Sequence, residues 1–268
     1  MQDYVHGYSE RETVRLSDQA KTLEELLHCD TLFPPGSRVL EAGCGTGAQT
    51  VILARANPLA RISAMDISPD SLAKARSWIE EEGITNVGFH LADLYDPPFA
   101  PASFDCVFVC FVLEHLSRPV DALAGLRALL KPGGSITAIE GDHGSACFYP
   151  RSEAAKRAIQ CQIDLQAQSG GNALIGRELY PLLRRAGFEN VRVSPRMVYV
   201  DAGKPELVEG FTRNTFTAMI RGVRGKALHA GIVDENTFDK GVRDLYRTTE
   251  ADGVFCYTFF KAFAEVRP

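Results

Sequence analysis

Between residues 38 and 141 the chain alternates two patterns. Short apolar, β-branched runs at 38–42, 61–65, 87–92, 104–110 and 135–140 read as strands. Between them lie segments with apolar residues at helical spacing. Residues 46–56 end near Asn57 and Pro58. A helix opens at Ser68, the N-cap, with Pro69 at its first position, and stops at Gly83. Leu72, Ala75, Trp78 and Ile79 supply its apolar face. A third helix, 119–130, carries Leu123, Leu126 and Leu130 on one stripe and ends at Lys131, Pro132, Gly133 and Gly134. The run FDCVFVC at 104–110 is nearly continuous in apolar residues, as expected of a strand covered on both faces. The β-α-β rhythm predicts a doubly wound α/β fold, a parallel sheet with helices on both faces.

After residue 142 the rhythm breaks. Residues 150–176 read as helical and polar, with Gly170 and Gly171 as a loop. A helix over 179–186 is closed by Gly187, and 191–200 is a sixth strand. Residues 204–250 form a second mostly helical insertion, and 254–266 is a last strand rich in aromatics. The insertions are short for independent domains. The expected organisation is therefore one domain over 1–268, with 1–30, 150–176 and 204–250 forming a cap over the strand ends.

Composition narrows the function classes. The chain has 268 residues, 45% hydrophobic and 24% charged, with a net charge of −5, so no global field draws in nucleic acid or an anionic membrane. No apolar run approaches the ~20 residues that span a bilayer. The polar N-terminus, MQDYVHGYSERE, is unlike a signal peptide, so the expected location is cytoplasmic. Seven cysteines with no CxxC spacing suggest neither a disulfide framework nor a zinc site, and no metal is expected. Reduced thiols in the cytosol are the simplest reading.

Candidate chemistry centres on VLEAGCGTG at 39–47. An apolar run enters a turn with glycines at 43, 45 and 47, and a helix-competent segment follows. In this layout backbone approaches a nucleotide-like ligand closely. Gly43, Gly45 and Ala48 also satisfy a dinucleotide pattern, and Asp66, at the end of the second strand, can accept ribose hydroxyls in either case. Glu41 discriminates. A carboxylate two residues before Gly43 repels a pyrophosphate and attracts an ammonium group. Asp93, after the third strand, is placed to accept from an adenine amino group or to cap a turn.

In order, VLEAGCGTG, AMDIS, ADLYDPPF, FVLEHL and LKPGGS resemble the motifs of class I S-adenosylmethionine-dependent methyltransferases over about residues 36 to 142, with weaker similarity through RRAGFENVRV and the last strand. The resemblance implies a seven-stranded sheet whose last strand is antiparallel and inserted between the fifth and sixth. It implies S-adenosylmethionine as cofactor. Glu41 with the backbone of Gly43, Cys44, Gly45 and Gly47 would hold the methionine part, and Asp66 the ribose. Ile67 would lie against the adenine, Asp93 and Leu94 would hold it, and Cys110 and Phe111 would flank the cofactor. Glu41 stands where aspartate is frequent, which preserves the charge.

A sulfonium is an activated methyl donor, so alignment and exclusion of water should supply much of the acceleration, and a general base ~10²–10⁴-fold more. The base candidates follow strand ends: His143 first, His115 second, with Glu114 beside it. Tyr8, with Tyr4 and His6, is a candidate gate in which an aromatic face meets the sulfonium. The expected acceptor is a small molecule, bound by a monomer or homodimer without nucleic acid or membrane. Two rival readings are a nicotinamide-dependent oxidoreductase on the same glycines and a non-catalytic module that binds S-adenosylmethionine.

Overall fold

A computed structural model describes residues 10–267. Seven strands form one sheet in the order β3-β2-β1-β4-β5-β7-β6: β1 Arg38–Ala42, β2 Arg61–Asp66, β3 Val87–Leu91, β4 Phe104–Cys110, β5 Leu130–Tyr149, β6 Glu189–Val200 and β7 Val254–Glu265. The sheet is mostly parallel with one antiparallel strand. The first five strands pair in parallel, with Val39 opposite both Ile62 and Cys106, and Cys110 opposite Ile139. Hydrogen bonds mark β7 as the reversed strand. Asn190 Nδ2 donates to Glu265 Oε2 at 2.7 Å and Ser194 Oγ to the Lys261 carbonyl at 3.4 Å, so β7 descends as β6 rises.

The helices are α1 Glu10–His28, α2 Ala48–Ala56, α3 Pro69–Glu81, α4 Pro119–Leu129, α5 Glu153–Gln168, α6 Leu179–Arg185, α7 Pro205–Leu207, α8 Ala218–Gly222, α9 Arg224–His229 and α10 Glu235–Arg247. A π-helical stretch, Val208–Thr217, joins α7 to α8. The cap expected at the start of α3 is present: Ser68 Oγ accepts from the Ser71 N–H at 3.2 Å, and Pro69 begins the helix.

The chain divides into two compact units. Among the described residues, a sheet unit comprises Leu27–Glu140, Ile175–Pro195 and 260–267; a helical unit comprises 10–26, Gly141–Leu174 and Arg196–Phe259. In the sheet unit, Leu40, Val107, Val109, Ile136 and Ala138 pack with Leu123 and Leu126 of α4, Leu179 and Leu183 of α6, and Phe188. Burying each large apolar side chain favours the fold by ~1.5–3 kcal/mol. In the helical unit, Phe211, Phe216, Phe255, Tyr257 and Phe259 form an aromatic cluster with centroids 4.7 to 6.4 Å apart.

Two boundaries differ from the sequence reading. The fifth strand starts at Leu130 and runs to Tyr149, where 135–140 was expected. Its extension crosses Gly141, Asp142 and Gly144, which are weak strand formers. It is held in the helical unit by bonds to neighbours: the His143 N–H donates to the Ala173 carbonyl at 2.9 Å, and the Thr258 N–H to Ser145 Oγ at 2.9 Å. The segment 150–176 is helical only over α5, and Ile175–Glu178 is a 3-10 turn.

Candidate active site

Parallel pairing in register brings the carboxyl ends of β1, β2, β3, β4 and the first part of β5 to one edge of the sheet. The strand order reverses between β1 and β4, where ligands bind in open α/β sheets. The glycine turn occupies this point. The Gly43 and Cys44 N–H groups both donate to the Met65 carbonyl, at 2.8 and 2.9 Å, which ties the turn to the end of β2. Gly43 has φ +80°, and a Cβ there would lie 2.5 Å from Val112 Cγ2, so no other residue fits without displacing Val112. Gly45 has φ +53°, and the direction a Cβ would take is open, with nothing within 4 Å.

Asp66 shapes the same turn. Its Oδ2 accepts from the Gly45 N–H at 2.8 Å and its Oδ1 from the Ser68 N–H at 2.9 Å. Each carboxylate oxygen keeps a second lone pair. Ile67 beside it is an exposed apolar side chain. Asp93 is exposed, and its Oδ1 accepts from the Tyr95 N–H at 2.9 Å, a turn cap of the kind anticipated for it; Leu94 behind it is buried.

Glu41 is 2% exposed, and its Oε2 has no hydrogen-bond partner among the described residues. Burial pushes its carboxyl up to about 7, the Thr50 hydroxyl pulls it down and the Asp66 charge adds to the rise. A buried carboxylate oxygen without a donor is costly, and a cationic group arriving at the turn would relieve that cost. Burial also raises the Cys44 and Cys110 thiols, which disfavours their thiolate forms.

The end of β4 is built differently. Phe111 has φ +57°, a conformation that costs a non-glycine residue of order 1–3 kcal/mol and collects at functional positions. A 3-10 turn, Leu113–His115, follows. Glu140 is fully buried, and its Oε1 accepts from the N–H groups of Val112 at 3.0 Å and Leu113 at 2.7 Å. Burial, then the Glu114 charge, pushes the Glu140 carboxyl well above the ordinary range. Glu140 thus fixes Val112, the side chain packed against Gly43. The residue is visible in the sequence as a lone acid closing an apolar strand; its target is not.

Of the base candidates, Glu114 and His115 lie in the sheet unit with the glycine turn, and His115 Nε2 is 3.6 Å from Glu114 Oε1. His143 belongs to the helical unit. It is buried, its Nδ1 is 2.9 Å from the Tyr257 hydroxyl, and its ring lies 6.0 Å from that of Phe216. Tyr8, the gate candidate, lies outside the described residues, as do Tyr4 and His6.

The sequence reading also passed over Lys261, a charge on the aromatic last strand. It is buried, and its Nζ donates to the Leu27 carbonyl at 3.0 Å, Asp30 Oδ1 at 2.6 Å and Thr31 Oγ1 at 2.6 Å. Beside it, burial and the Lys261 charge lower His28 to about 4.

Comparison with known proteins places this geometry. Residues 39–134 match the methyltransferase domain family. A ubiquinone/menaquinone biosynthesis C-methyltransferase of Pseudomonas aeruginosa is 30% identical over 199 residues, 74% of this chain and 73% of the relative. An uncharacterized methyltransferase of Schizosaccharomyces pombe is 34% identical over 148 residues, 53% of each chain. Among solved structures, the [4+2]-cyclase SpnF superposes with a TM-score of 0.57 at 19% identity, over 93% of this chain and 80% of that one, a likeness of fold. The protein described here belongs to the class I S-adenosylmethionine-dependent methyltransferases. It spans about half the length of the first curated relatives it matches, 54% and 53%. No helix among the described residues is long and apolar enough to cross a membrane.

Proposed function

We propose that this protein transfers a methyl group from S-adenosylmethionine to a small-molecule acceptor. The observation that carries the cofactor part is the unpartnered Glu41 oxygen buried beside a turn with open space at Gly45. The small-molecule part draws support from the relative named as a C-methyltransferase of quinone biosynthesis. A nicotinamide cofactor would set its pyrophosphate against Glu41, an unfavourable pairing.

In this reading the cofactor, when bound, supplies a methyl group already activated on a sulfonium. Glu41 pairs with the ammonium of its amino-acid end, and the Gly43–Gly47 backbone lies along that end. Asp66 accepts from the ribose while keeping its bonds to Gly45 and Ser68. Ile67, Asp93 and Leu94 take the adenine, and Cys110 and Phe111 flank the cofactor. Acceptor choice is assigned to the insertions 150–176 and 204–250. His143, oriented by Tyr257, is the first candidate to remove an acceptor proton; the Glu114 and His115 pair is the second.

The test has two parts. Calorimetric titration with S-adenosylmethionine should give saturable binding, and NADH should give none by fluorescence. Turnover over a panel of phenolic, amine and quinol acceptors should then yield S-adenosylhomocysteine. His143→Ala should lower turnover and flatten its pH profile, with His115→Ala less affected; wild-type turnover in both variants would remove the general-base role. The likeness to a cyclase keeps one alternative in view: cofactor binding with no methyl transfer to any acceptor would favour a binding role or other chemistry on this fold.

A further inference from the structure

One pair of cysteines lies outside the site described above. In the helical unit β5 and β7 run past each other, and two contacts fix the register. Ser145 Oγ accepts from the Thr258 N–H at 2.9 Å, and the rings of Phe148 and Phe255 stack at 6.4 Å with an interplanar angle of 5°. Each step forward on β5 is matched by one step back on β7. Residue 145 therefore faces 258, 148 faces 255 and, between them, Cys147 faces Cys256.

Directly opposed residues of antiparallel strands have Cα atoms about 4.5 or about 5.5 Å apart, depending on the pair type. Both spacings fall within the range of about 4.4–6.8 Å that a disulfide accepts. Burial, and after it the neighbouring Cys147 thiol, raise the Cys256 thiol, which agrees with the two side chains being close. Alternation along the strands sets their exposure. Phe255 and Tyr257 point into the aromatic cluster, whereas Cys147 is exposed and Cys256 half-buried. Of the other cysteines, Cys44, Cys106, Cys110 and Cys161 are buried, and Cys29 is exposed in the other unit.

We propose that Cys147 and Cys256 form a solvent-accessible dithiol that exchanges with small-molecule disulfides of the glutathione class to give a reversible cross-strand disulfide. The thiolate of one cysteine attacks a sulfur of oxidised glutathione, breaking its S–S bond and releasing one glutathione thiolate. The thiolate of the other attacks the protein sulfur of this mixed disulfide, closes the Cys147–Cys256 bond and releases the second glutathione thiolate. The two protons lost by the protein thiols end on the two glutathione molecules. The protein dithiol is oxidised by two electrons, and the glutathione disulfide is reduced. Ring closure is favoured over capping because the second thiol is already opposite the first. Cys29, with no such partner, stops at the mixed disulfide.

The experiment equilibrates the folded, full-length chain in buffers of increasing oxidised to reduced glutathione, traps free thiols with acid and an alkylating agent, and maps peptides by mass spectrometry. The expected result is a linked peptide pair containing Cys147 and Cys256, lighter by two hydrogen atoms and restored by dithiothreitol. The ratio of linked to free pair should rise in proportion to oxidised glutathione over the square of reduced glutathione, while Cys29 carries one glutathione in the same samples. Cys147→Ser should abolish the linked pair and leave Cys256 capped no more than Cys29. Finding both cysteines free, or each capped singly, in a buffer that caps Cys29 would overturn the proposal. So would a linkage of Cys256 to a different cysteine in the variant.

Discussion

Two strands of the sheet unit, β1 and β5, each carry a buried glutamate, and they use it in different ways. At the end of β1, Glu41 keeps one oxygen without a donor. In β5, where that strand leaves the sheet unit, Glu140 places Oε1 on two backbone N–H groups, while its Oε2, like that of Glu41, has no partner among the described residues. Burial raises both carboxyls. The difference lies in the backbone donors, two of which reach Glu140 Oε1. Glu140 is spent inside the fold, holding Val112 where Gly43 must meet it. Glu41 has kept an unmet demand that a cation can satisfy. An acid buried in a strand acts as a strut where backbone donors reach it, and elsewhere is a candidate to bind a cation.

The comparison can be broken most severely where Gly43 meets Val112. Gly43→Val puts a branched side chain at φ +80° against Val112. Backbone strain and overpacking together cost roughly 2–6 kcal/mol. Cofactor binding should vanish from calorimetry, with the melting temperature lowered; unchanged binding would show that the turn does not need its packing on Val112.

Glu140→Ala leaves the Val112 and Leu113 N–H groups without their acceptor in a buried site. The expected loss is roughly 2–6 kcal/mol in urea unfolding, at ~1–3 kcal/mol for each unsatisfied group. Glu140→Gln retains a carbonyl acceptor and should recover most of that stability. If the alanine variant were as stable as wild type, Glu140 would not be a strut.

A smaller effect separates Glu41 from its surroundings without any ligand. Its folded-state value, about 7, lies above the ordinary 4.5, so stability is highest where it is protonated and falls as pH rises from about 4.5 to about 7. His28 has the reverse slope. Its folded-state value of about 4 lies below 6.5, so its contribution is lost as pH falls from about 6.5 to about 4. The two slopes oppose each other between about pH 4.5 and 6.5. Glu41→Gln should therefore lose stability on acidification more steeply than wild type, by of order 1–2 kcal/mol over that window. Equal slopes in the two proteins would mean that Glu41 titrates normally.

What the sequence disclosed follows the same division. The β1 strand, the glycine turn and Glu41 are legible together because the chemistry lies in consecutive residues. A strand buried on both faces must be nearly all apolar, so β4 stands out, and Ser68 with Pro69 marks the start of α3. Glu140 is legible as an oddity only, since its partners Val112 and Leu113 lie 28 and 27 residues away along the chain. The extension of β5 past Glu140 is hidden because Gly141 to Ser145 have no strand propensity of their own. The π-helical stretch Val208–Thr217 is hidden as well; there Thr215 Oγ1 donates to the Gly210 carbonyl five residues back, at 2.7 Å. The pairing of Cys147 with Cys256 needs the register of two strands more than a hundred residues apart, which no spacing rule for cysteines contains.

The central claim is that Glu41 is the group waiting for a cation, and calorimetric titration of S-adenosylmethionine from about pH 6 to about pH 8 tests it directly. Wild-type affinity should rise with pH and level off near 7, with proton release on binding at the acid end. Glu41→Gln should bind about tenfold or more weakly, ~1.4 kcal/mol, with no pH dependence in this range. Equal affinity and equal pH profiles in the two proteins would contradict the account.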